Sequence, residues 1–171
     1  MNSGLHKFLL VCHLMAAIVG FGAVYLNGLY GAETKKRKGP EGLAVLRANE
    51  RVSTIGERII YAVPVFGILL VITSDKAFKF SQTWIWLALL LFFIGIGVAH
   101  GVMAPTVKRM GGLMEELNAM GPPPAGAAPS GPPPQVAQME ALGQRLAIGG
   151  TFLDLLLVVI VGIMVWKPGF A

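Results

Sequence analysis

The stretch WIWLALLLFFIGIGVAHGVMA, residues 84–104, decides the fold class. It contains no Asp, Glu, Lys or Arg. At about 1.5 Å of rise per residue it makes a helix about 30 Å long, the thickness of a bilayer's hydrocarbon core. Three further runs follow the same pattern. Residues 8–30 (FLLVCHLMAAIVGFGAVYLNGLY) and 146–166 are long enough to span. The run 59–73 is short, so its helix is expected to start earlier, near Ile55, and to carry Glu57 and Arg58 into the span, giving a helix over 55–74. Stops bound the last two runs: Pro105 follows one, and Lys167-Pro168-Gly169 follows the other. The first run is too long and too glycine-rich for a signal-peptide core and has no A-x-A cleavage site, so it is expected to remain in the mature protein.

The rest of the chain agrees. Its 171 residues suit a single domain, and with 54% hydrophobic and 13% charged residues and a mean hydropathy of +0.66 it is too apolar for an ordinary soluble globule. The expected architecture is all-α, a four-helix transmembrane up-down bundle. The net charge of +5 does not point to nucleic acid, because the basic residues lie outside the apolar runs and lack interleaved aromatics. Ten of them (Lys35, Lys36, Arg37, Lys38, Arg47, Arg51, Arg58, Lys108, Arg109, Arg145) flank one side of the bundle, against Lys7, Lys76, Lys79 and Lys167 on the other. The positive-inside rule then places both long loops in the cytoplasm and both termini outside a cell (inner) membrane. Tyr30, Trp84, Trp86 and Trp166 fall at span ends, where amphipathic rings favour the headgroup layer. Residues 41–56 read as an amphipathic helix, residues 110–120 as a short interfacial one, and residues 120–135, with GPPP twice, as a flexible linker. The single cysteine, Cys12, excludes an intrachain disulfide and CxxC-type zinc or redox motifs.

Ionisable groups inside a membrane are costly, which makes each a candidate for function. His13 lies on a stripe of helix one with His6, Leu10, Ala17, Gly20, Val24 and Asn27, a face directed at protein. It is a candidate haem ligand, proton relay or interhelical hydrogen-bond donor. His100 sits in the Gly97-Val-Ala-His-Gly101 frame of helix three. Counted from the span ends, Asp154 lies within reach of His100, so Asp154, His100, Glu57 and Arg58 are expected to form a polar cluster in the cytoplasmic half. The same counting puts His13 about 25 Å and His100 about 6 Å above the cytoplasmic ends of their helices, too far apart for one bis-histidine iron. A haem b held by one histidine, or by histidine and methionine, stays open, with Met15, Met103 and Met164 in the spans. No protease, P-loop, paired-carboxylate or metal-binding signature occurs in the spans. Ala16 and Gly20, and Gly97 and Gly101, supply close-approach surface for helix packing. Pro64 with Gly67 is expected to bend helix two.

The segment from His13 through Gly22, Tyr61-Ala-Val-Pro64 after a basic loop, Trp84-Ile-Trp86, Ala104-Pro105-Thr-Val-Lys-Arg109 and the terminal Gly162-Ile-Met-Val-Trp-Lys-Pro-Gly169 together resemble bacterial integral membrane proteins grouped as domain-of-unknown-function family 2269. The resemblance implies a four-helix membrane protein with no assigned activity. The start of helix one is also similar to the membrane protoporphyrinogen oxidase and copper-resistance families, where a histidine at this place is functional. Where those relatives usually carry tryptophan this chain has Gly20. The reading from the residues is a non-catalytic integral membrane protein, acting alone, as a homo-oligomer or as a small subunit of a larger complex, with the lipid bilayer as its first partner. The alternative is a haem- or quinone-linked redox protein using His13 or His100.

Overall fold

The computed structural model describes residues 4–37, 39–121, 131 and 133–169. The helices are α1 (Gly4–Tyr25), α2 (Asn27–Lys36), α3 (Gly39–Ile60), α4 (Ala62–Ile72), α5 (Thr83–Val98), a π-helical segment (Ala99–Met103), α6 (Ala104–Met120) and α7 (Pro134–Trp166). They form four near-continuous rods, Gly4–Lys36, Gly39–Ile72, Thr83–Met120 and Pro134–Trp166, each long and apolar enough to cross a membrane. The fold is all-α with four long helices.

Neighbouring rods run antiparallel. The first two are joined by a ladder in which His6 meets Thr73, His13 meets Val63, Gly20 meets Gly56 and Asn27 meets Ser53. A Cβ built on Gly56 would stand 2.6 Å from the Ala23 Cβ, and one on Gly20 would stand 2.7 Å from Ile60 Cγ1, so these glycines set the helix spacing. Ala16 is buried on the same face. The last two rods pack where Leu153 and Leu156 fill the space beside Gly95, and where Met103 covers Gly149.

Each rod is about 50 Å long, well beyond the 30 Å core, so the helices overrun the expected spans at the end away from the 73–82 connection. The two long connections expected from the sequence, 31–56 and 105–145, are therefore largely helical among the described residues. The amphipathic 41–56 stretch is the front of α3 and the 110–120 stretch the back of α6. The cause is a second small core: Leu46, Met110 and Met114 are buried, with Leu43, Val107, Met139, Leu142 and Leu146 packed around them. Arg47 bonds Glu50 and Glu115, tying α3 to α6 at its edge. The linker expected over 120–135 falls largely on residues 122–130 and 132, which lie outside the described residues.

The short connection closes the other end. Ser74 is fully buried, its hydroxyl donating to the Val71 carbonyl (2.7 Å) and accepting from the Phe78 amide (3.0 Å). Trp84 is buried against Val71 and Phe78 beneath Lys167, and its Nε1 has no acceptor among the described residues. Trp86 and Trp166 are exposed.

Two hairpins result, and they join unevenly. At the extended end α3 packs on α6 and α2 on α7; in the apolar halves α1 packs on α3 and α4, and α5 on α7, while α1 and α7 barely meet. Among the described residues little therefore joins the first and fourth helices along their apolar length, which leaves a seam between them.

Candidate polar site between helices two and three

Two prolines shape this site. Pro64 has no N–H, so the Ile60 carbonyl loses its regular donor and the helix breaks at Tyr61, between α3 and α4. Pro105 likewise withholds a donor from the Gly101 carbonyl. Just before it the helix widens, and the Ala104 amide reaches back five residues to the Ala99 carbonyl. His100 lies in that widened segment, facing the break at Tyr61.

There the Tyr61 Oη donates to Glu57 Oε1 at 2.8 Å, and His100 Nε2 lies 2.7 Å from the same oxygen and 2.5 Å from the phenol. The two rings are parallel within 7°. The phenol has one proton and gives it to the carboxylate. An unprotonated Nε2 would turn its lone pair on that carboxylate, so the arrangement requires a proton on Nε2. The side chains of His100 and Glu57 are 51% and 35% exposed, so the trio opens on one side to its surroundings.

The polar cluster expected from the sequence is thus assembled differently. Glu57 and His100 meet, and Tyr61, one turn beyond Glu57, completes them; the Glu57/Tyr61 spacing of four residues was the available signal. Arg58 and Asp154 make no hydrogen bond or ion pair with them among the described residues. Arg58 follows Glu57 directly and so projects about 100° around the helix. Asp154 is held away by register, because α7 is set by Leu153 and Leu156 beside Gly95 and by Gly149 beneath Met103. That places Asp154 near the level of Gly95, five residues or about 8 Å along the axis from His100. It lies near the middle of its apolar run and is half-buried.

His13 is a half-buried partner of helix two. Its Nδ1 stands 3.0 Å from the Val63 carbonyl and donates to it, and its ring lies over Gly67, where a Cβ would come within 3.3 Å. His6 is buried two turns away, with Nδ1 3.0 Å from the Thr73 hydroxyl. The axial gap between His13 and His100 is far smaller than the expected 19 Å: Val63 is only two residues past Tyr61 and six past Glu57, about 3 to 9 Å. The helices do not end in one plane, so counting from their ends misplaced both residues. What separates the histidines is direction, since they bond different faces of the second helix.

Among the described residues Gly97 and Gly101 have no atom within 4 Å of a Cβ position and no packing partner; Gly95 takes that part. Among the described residues no group of three or more His, Cys, Asp or Glu is placed to hold a metal ion. No model of a known family, no curated protein and no solved structure matches the chain.

Proposed function

We propose that the chain is a non-catalytic, multi-pass protein of the bacterial inner membrane, related to domain-of-unknown-function family 2269, that works as a small subunit of a larger membrane assembly. Both termini face outward and the helical extensions lie in the cytoplasm, as its basic residues favour. One observation carries the assembly: among the described residues none in the apolar window of α7 is buried, although that helix bears an aspartate near its middle. Lipid covers the apolar face at no cost, but it offers the carboxylate no hydrogen bond. The open Gly97/Gly101 face adds surface suited to close helix approach.

Labelling tests this. In a Cys12→Ala background, single cysteines at Leu155 and Val158 should react slowly with a membrane-soluble maleimide in native membranes and quickly once the chain is purified. Equal rates in both settings would contradict it.

A second reading, a haem-linked redox protein, is supported by the His13 geometry. Nδ1 is committed to a backbone carbonyl, which orients the ring and leaves Nε2 as the nitrogen available to an iron. A Soret band lost in His13→Ala would establish it, and a colourless, fully folded protein would end it.

A further inference from the structure

Asp154 stands about 130° around α7 from the face that packs on α5, on the side where, further down the helix, Gly143 meets Lys35. It therefore borders the seam between the first and fourth helices. Gly150, one turn away on the same side, has no atom of the described residues within 4 Å of a Cβ position, and neighbouring Thr151 spends its hydroxyl on the Ala147 carbonyl. Asp154 has no hydrogen bond or ion pair among the described residues. Glu57, the other acid of the apolar zone, is satisfied by Tyr61 and His100.

We infer that the α1/α7 seam is the docking surface for one transmembrane helix of a partner protein, which brings a basic side chain to Asp154 at mid-membrane depth. This deepens the subunit reading above and rests on it. Three features select this occupant. The seam is open along the apolar length of α1 and α7, which fits a rod. Its wall at the aspartate is lined by small residues, Ala147 and Gly150, which let a second backbone come close. Its one polar group is an acid, whose complement is a cation or a strong donor. This chain has no Lys or Arg within its apolar runs at that depth, and its two intramembrane histidines are engaged with helix two.

The test uses the full chain in phosphatidylcholine vesicles and three dansylated leucine-rich transmembrane peptides: one with a central lysine, one with that lysine moved two turns toward an end, and one with leucine throughout. Energy transfer from the protein's tryptophans reports association. The central-lysine peptide should associate about tenfold more tightly than the other two, and Asp154→Leu should remove the difference. Asp154→Leu makes helix four more apolar, so insertion is not at risk, and an unchanged circular dichroism spectrum confirms folding. Equal association of the three peptides, or a preference that survives Asp154→Leu, would overturn the inference. If that happens while the chain still sits in a multi-chain particle in its own membrane, the docking surface is wrong and the subunit reading stands. If the chain is alone there, the subunit reading itself fails.

Discussion

Gly67 lies directly beneath the His13 imidazole, so a residue with no side chain on helix two makes room for the ring that donates to the Val63 carbonyl one turn earlier. The bond joins α1 to α4 through a backbone acceptor. It depends on helix two staying small at one position.

The two residues should therefore be thermodynamically coupled. Gly67→Ala in the native background pushes the ring by a few tenths of an ångström and should lower the melting temperature in detergent. In a His13→Ala background the same change should be neutral or stabilising, because alanine is the better helix former. A double-mutant cycle should give a coupling of about 0.5 to 2 kcal/mol. Additive effects would mean the ring and the glycine do not meet.

Glycines elsewhere should divide by what surrounds them. Gly56→Ala places a methyl 2.6 Å from the Ala23 Cβ, with the Gly20 carbonyl behind it at 3.3 Å, and should cost about 1 to 3 kcal/mol by overpacking. Gly97→Ala and Gly101→Ala meet open space and should be neutral, or stabilising by up to about 1 kcal/mol. Thermal unfolding of the purified chain measures all three.

Within the trio, Tyr61→Phe removes one hydrogen bond but leaves the His100–Glu57 pair, and should cost about 0.5 to 1.5 kcal/mol. Glu57→Leu strips both remaining members of their shared acceptor and should cost more, about 1 to 3 kcal/mol. Glu57→Leu combined with His100→Leu should recover part of that loss. An unchanged melting temperature in Glu57→Leu would show that the trio does not hold helices two and three together.

The Arg47 contacts at the extended end are half-exposed and should behave as surface ion pairs. Glu115→Gln should cost less than about 1 kcal/mol at low salt. The difference should fade by about 1 M salt, where the screening length drops to about 3 Å.

The four apolar runs were legible because a span has to be apolar for about 20 residues, a constraint that few other folds satisfy. The helical extensions were not, because hydropathy finds where lipid is and says nothing of where a helix stops. Their continuation depends on Leu46 of α3 meeting Met110 and Met114 of α6, with Met139 and Leu142 of α7 packed around them. Glu57 and His100 were legible as polar groups in apolar surroundings. Tyr61 was passed over because a tyrosine is unremarkable by composition, and its role comes from the break that Pro64 makes beside it. Asp154 was legible as a problem, but its surroundings were not, since the register of α7 on α5 is set by Gly95, Gly149 and their large neighbours.

The subunit reading stands most directly on the mass of the particle that contains this chain in its own membrane. Polymer extraction at native expression level, followed by native mass spectrometry, measures it without detergent. The account predicts a particle heavier than the 18.2 kDa chain by at least one other transmembrane protein, and lighter by that protein when Asp154 is replaced by leucine. A particle that holds the single chain and lipid alone would contradict it.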